Sequence, residues 1–222
     1  MKKSVLLFAA LAVFCSDVIS AQEQTKVTVG LLDLEAIVGI NWTKPKKNLF
    51  AEGNFGTDYD LGVTILSVPL GKSDPSPAAT VALHYDYSRQ NFDSYQVTNE
   101  VKFRRHEVYA RIKPFTFNPS YESDYNRVLG LLVAGLYADV GYSSGKYFYE
   151  DMYDTTTTPD DKKNGMFWGW GWNLNFKKGR TGAIVGYGSK IYNFDNSLGN
   201  TIKYSSRSFH FGLSYALDWR EN

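Results

Sequence analysis

The chain has one cysteine in 222 residues and so no thiol for it to pair with. That excludes a disulfide framework. It has only three histidines, His84, His106 and His210, too scattered for a metal-ligand spacing. It lacks any run of the roughly eighteen continuous apolar residues that a membrane helix needs. It also lacks a dominant charge: 24 basic against 23 acidic residues leave a net +1. A nucleic-acid binder would carry a clear basic excess. The sequence therefore predicts no metal site, no cofactor and no nucleic-acid partner, and no catalytic constellation stands out.

What is present begins with an export signal. Lys2 and Lys3 form a positive start, residues 5–14 form a short apolar run, and the small residues Ser20 and Ala21 follow. The run is too short to span a bilayer and suits a signal peptide. Cleavage after Ser20 or Ala21 fits equally. With Ala21 the signal is 1–21, and 22–222 form one domain. Cys15 lies in the removed segment, and Phe14 before it does not fit a lipoprotein site, which needs a small residue there. Lys2, Lys3 and Asp17 leave with the signal, so the mature chain is neutral and free of thiols.

The full chain is aromatic, at 16%, and rich in glycine, yet mean hydropathy is −0.32. A sheet with one apolar and one polar face has that composition. The periodicity agrees, because it is two throughout and not 3.6. Leu32, Leu34, Ala36, Val38, Ile40 and Trp42 alternate with Asp33, Glu35, Ile37, Gly39 and Asn41. Seven more segments alternate likewise, near 59–65, 81–88, 107–113, 132–142, 168–176, 183–191 and 209–219. Strands of about nine to twelve residues can cross a membrane when tilted. The count is about eight, or ten if residues 91–105 hold another hairpin. Polar connections at 43–57, 89–105, 143–165 and 193–205 alternate with turns such as 177–180. The low-complexity stretch 155–161 is expected to be mobile.

Alternation does not say which face points outward. A soluble periplasmic barrel would hold the apolar face inside, around a ligand. Volume argues for the reverse, since an eight-stranded barrel is barely wide enough to be filled by side chains. Many large rings would overfill it, whereas the small and polar face would fit. A secreted β-sandwich would expose sheet edges that a closed barrel avoids. The fold expected is all-β: a transmembrane antiparallel up-and-down β-barrel after a cleaved signal peptide.

The last segment carries the most specific pattern. His210, Gly212, Tyr215 and Leu217 read polar-x-Gly-x-x-aromatic-x-apolar. This resembles the closing-strand signal of outer-membrane barrels, although the chain continues to Asn222. With the export signal and the strand count, the chain resembles the small OmpA/OmpX-like barrels and the outer-membrane β-barrel domain proteins of Gram-negative bacteria. The resemblance implies a monomer in the cell outer membrane, with outer-membrane lipid, lipopolysaccharide and the barrel assembly machinery as partners.

The polar face predicts a charged lumen cluster of Asp33, Glu35, His84, Asp86, Glu107, Arg111, Lys113, Asp139 and Lys190, with Asp60 alongside. Buried charges must pair or reach water. That favours a salt-bridged plug over an ion path, and a structural or surface-interaction role over catalysis. The runner-up is a lipid-modifying or proteolytic barrel enzyme. His84 and Asp86 would pair in it, two residues apart on one face, with Ser88 on that face too. Lys102, Arg104 and Arg105 form a small basic patch in an expected loop, near His106. That patch is a candidate contact for lipopolysaccharide phosphates.

Overall fold

The computed structural model describes residues 27–43, 55–70, 78–93, 100–116, 135–150, 158–178, 180–195 and 201–217. The signal segment and its cleavage site lie outside them, as do Leu132, Ala134 and Trp219. The described residues form eight strands: β1 (Thr28–Thr43), β2 (Phe55–Pro69), β3 (Ala78–Asp93), β4 (Glu100–Thr116), β5 (Leu136–Glu150), β6 (Thr158–Lys178), β7 (Thr181–Asp195) and β8 (Thr201–Ala216). Each pairs antiparallel with its neighbours in chain order, and β8 pairs with β1, so the barrel is closed. Closure satisfies the edge hydrogen bonds that an open sheet would leave exposed.

The expected count of eight is found, and the alternative of ten falls away, because residues 91–105 end β3 and begin β4 and form no further hairpin. The strands are also longer than expected, from 15 to 21 residues. They run on into stretches read as connections, since pairing continues after the apolar alternation fades. Thr158–Asp161 belongs to β6, for example. Pro114 lies within β4. Its ring removes a donor, and it sits beside an irregularity where the β3–β4 register shifts between Ala78 and Thr80.

Alternation sorts the side chains. Inward positions of β4 are Phe103, Arg105, Glu107, Tyr109, Arg111 and Lys113, all buried. Outward positions of β8 are Phe209, Phe211, Leu213 and Tyr215, all exposed. The molecule is thus charged inside and apolar outside. Contrary to the volume argument, rings do enter the lumen: Phe103, Tyr109, Tyr137, Phe167 and Tyr192 are all buried there. Glycines make the space. A Cβ on Gly62 would meet the His84 ring, on Gly145 the Phe103 ring, and on Gly171 the Tyr137 ring. Small residues opposite large ones let one narrow interior hold both.

Candidate functional site

The barrel has a turn end, where β6 and β7 join at 178–181, and a loop end, where β1 stops at Thr43 and β2 begins at Phe55. The inward side chains form a ladder of polar contacts between these ends.

At the turn end Lys177 donates to both oxygens of Asp33, at 2.9 and 3.0 Å, and the pair is partly exposed. Deeper in, Lys113 donates to Glu35 Oε1 at 2.8 Å, joining β4 to β1 across the lumen. Glu35 Oε2 faces His84 Nε2 at 4.0 Å. The other ring nitrogen, His84 Nδ1, lies 2.9 Å from Asp60 Oδ1. Tyr109 donates its hydroxyl to Asp60 Oδ2 at 2.7 Å, and its ring stacks on His84 at 5.0 Å. The imidazole is thus held between two carboxylates and flat against a phenol ring.

In the middle, Arg111 donates from Nε and Nη2 to the two oxygens of Asp139, at 2.9 and 3.0 Å. This is the paired-fork geometry that makes arginine–carboxylate contacts strong. The guanidinium also lies 4.0 Å from the Tyr137 ring centroid, a cation–π contact. Above it Lys190 reaches across from β7, its Nζ 2.7 Å from Asp86 Oδ2 and 2.7 Å from Glu107 Oε2. At the loop end Asn41 binds Asp58, donates to Ser88 and accepts from Gln90. Arg105 donates to Ser88 at 2.9 Å, lies 3.6 Å from Glu107 and covers the Tyr192 ring at 4.6 Å.

Among the described residues six carboxylates are buried here: Glu35, Asp58, Asp60, Asp86, Glu107 and Asp139. They share the space with the buried Arg105, Arg111 and Lys113, the part-buried Lys190, and the imidazoles of His84 and His210. Several atoms find no hydrogen-bond partner in the protein: Glu35 Oε2, Asp86 Oδ1, Arg111 Nη1 and His210 Nδ1 among them. Polar atoms so placed normally bind water. Among the described residues no group of three or more His, Cys, Asp or Glu is placed to hold a metal ion.

The nine residues of the expected lumen cluster all occupy inward positions, with Asp33 at the mouth. The expected pairing of His84 with Asp86 does not form. Residues two apart on a strand point the same way about 7 Å apart, so each turns to another strand instead. His84 takes Asp60, and Asp86 takes Lys190. Ser88 is engaged by Asn41 and Arg105.

The expected basic patch also divides. Arg104 is exposed on the outer face, whereas Arg105 is buried in the lumen. The side chain of Lys102 lies outside the described residues. His106 is not in a loop but outward on β4, its Nδ1 2.6 Å from the Tyr85 hydroxyl. In the closing strand His210 points inward, 2.5 Å from Ser208, while Tyr215 and Leu217 are exposed. Gly212 packs against the β1 backbone at Ala36 and Ile37.

Sequence reasoning missed Asp58, Gln90, Phe103, Phe167 and Tyr192 as lumen residues. Extending the strict alternation of β3, β4 and β7 by a few residues finds Gln90, Phe103 and Tyr192.

No protein-family model matches the chain, and no curated protein does. Among solved structures it is similar to Neisserial surface protein A (NspA), at 9% identity, TM-score 0.48, over 86% of this chain and 98% of that one. It is similar to Ail, the attachment invasion locus protein of Yersinia pestis, at 12% identity, TM-score 0.47, over 86% of this chain and 100% of that one. The translocator domain of the autotransporter NalP from Neisseria meningitidis is similar at 12% identity and TM-score 0.34, over 96% of this chain and 97% of that one.

Proposed function

We propose that this chain is an integral β-barrel protein of a Gram-negative outer membrane, exported by its N-terminal segment and monomeric. On this reading it is not an enzyme. Its lumen is closed by its own side chains, and its role is structural or is exercised through contacts at the loop end. One observation carries the proposal: the faces are reversed relative to a water-soluble protein. Leu61, Trp170, Phe211 and Leu213 stand exposed, while Glu107, Arg111 and Asp139 are buried. Soluble monomers do not expose an apolar surface that encircles the molecule.

The dimensions support it. The outward residues of β8 from Phe209 to Leu217 span about 27 Å of strand, or about 21 Å of height at a tilt near 40°. Outer-membrane barrels carry an apolar band of about 25 Å. Tyr59, Tyr85 and Tyr142 lie outward toward the loop end, and Phe176 and Tyr215 toward the turn end. Aromatic rings favour the two interfaces of a bilayer. The closed lumen is supported by cross-barrel ties such as Lys113–Glu35 and Lys190–Asp86.

The test is gel mobility of the outer-membrane fraction, with and without boiling in SDS. A compact fast band that slows on heating is expected. A single band unaffected by heating, together with recovery of the protein in the soluble periplasmic fraction, defeats the proposal.

A further inference from the structure

Consecutive strands owe part of their register to the connection between them. The β6–β7 pairing, for example, starts from Lys178 and Thr181, with two residues between. The seam of β8 on β1 joins the two ends of the chain and has no such connection. Its register sets the stagger of the whole barrel. From Trp168 the register runs through Val140, Leu83, Leu34 and Tyr215 and returns to β6 at Lys178, ten residues from its start.

The seam's own side chains choose this register only weakly. A slip of one residue turns every side chain to the wrong face, but a slip of two does not. Slid two residues toward the loop end, β8 would set Tyr215 against Ala36, Leu213 against Val38 and Phe211 against Ile40, apolar against apolar as before. Inside, Gly212 would pass from Ile37 to Gly39, and His210 from Gly39 to Asn41, with no clash of bulk or charge. The opposite slide sets His210 against Ile37 and narrows an interior that is already full. The competitor is therefore the wider barrel, since greater stagger goes with greater tilt and diameter.

Contacts between neighbouring strands are indifferent to that widening. Arg111 with Asp139, on β4 and β5, is one. Contacts that span the lumen are not. Lys113 on β4 reaches Glu35 on β1 at 2.8 Å. Lys190 on β7 reaches Asp86 on β3 and Glu107 on β4, at 2.7 Å each. Ties of such short reach favour the narrower cylinder. We infer that the cross-lumen ties of Lys113 and Lys190 select the stagger at which β8 closes on β1. Fixing register is the best-attested use of buried polar and ionic groups.

The test refolds the full mature barrel in neutral-detergent micelles with one pair of cysteines across the seam. Ala36→Cys with Leu213→Cys reads the register described here, and Ala36→Cys with Tyr215→Cys reads the slid one. A disulfide needs Cβ atoms about 4 Å apart. Opposed positions come near this at about 5 Å, and diagonal ones, at about 7–8 Å, do not. Oxidation of the otherwise unaltered chain is expected to link only the first pair. The ties are then removed without leaving a lone charge, by Lys113→Met with Glu35→Gln and by Lys190→Met with Asp86→Asn and Glu107→Gln. With both sets combined, the linked share of the second pair is expected to rise at least about tenfold.

A compact combined variant that links only the first pair overturns the inference. So does efficient linking of the second pair in the otherwise unaltered chain. If the combined variant forms no compact band, each set is scored alone, and a slid link in neither overturns the inference. Failure of every set to form that band also does so, because the ties would then serve folding itself and not the choice of register. The outer-membrane reading stands apart from all of these outcomes, since it is tested on the unaltered chain.

Discussion

Lys113 on β4 places its ammonium nitrogen 2.8 Å from the Glu35 carboxylate on β1, although those two strands share no backbone ladder. The contact bridges the lumen, and both partners are largely buried. Removing one partner leaves a charge with no counter-ion in a medium that solvates it poorly. Replacing both with uncharged groups of similar shape does not. Lys113→Met is expected to destabilise the barrel by roughly 3 kcal/mol, and Lys113→Met with Glu35→Gln to recover most of that. Urea unfolding in lipid vesicles reads the difference, and equal losses in the single and double variants would show the pair to be idle.

A charge on the outer face separates the membrane reading from a soluble one. Leu213 is 68% exposed at the centre of the outward row of β8. In water Leu213→Arg costs almost nothing, because the side chain is already solvated. At the middle of a bilayer it costs about 2–4 kcal/mol. The vesicle unfolding assay is expected to show the larger cost for Leu213→Arg and a smaller one for Thr57→Arg, toward the loop end, where the new side chain would stand opposite Arg89. Equal, negligible costs would place the protein outside a bilayer.

Gly62 and His84 are opposed on β2 and β3, and the ring lies over the glycine. Gly62→Ala is expected to cost roughly 1–3 kcal/mol by overpacking. In a His84→Ala background the same change has open space and is expected to cost much less. A double-mutant cycle that finds the two costs additive would mean that the ring readily moves aside.

The lumen ladder also predicts an electrical property. With Arg111 forked to Asp139 and Lys190 held by two carboxylates, no continuous water path of ionic width is expected through the barrel. Planar bilayers containing pure protein are expected to carry no steady current. Recurrent openings of large, uniform conductance would contradict this.

The sequence makes the alternation legible, and with it the barrel class and the inward set from Glu35 to Lys190. Those features depend on each strand's own period. What stays hidden depends on how strands meet. His84 finds Asp60 because Gly62 lies opposite it on β2 and Asp60 is the next inward position there, and that register cannot be read from either strand alone. Arg105 was placed outside because the apolar half of the alternation stops at Val108, although its parity with Glu107, Tyr109 and Arg111 marks it as inward. The inward rings of Phe103 and Tyr137 depend on glycines of neighbouring strands, Gly145 and Gly171. A volume argument that sums each face separately does not capture that matching.

On the membrane reading proposed above, the cross-lumen ties constrain the order of events as the chain enters a bilayer. Among the described residues, the β1–β2 hairpin carries Glu35, Asp58 and Asp60 with no buried cation, and β7–β8 brings the part-buried Lys190 with no buried acid. Neither hairpin can cross hydrocarbon alone without dragging uncompensated charge through it. On that reading insertion and curling proceed together, with β3 and β4 neutralising both ends of the chain as the cylinder forms: Lys113 meets Glu35, and Asp86 and Glu107 meet Lys190.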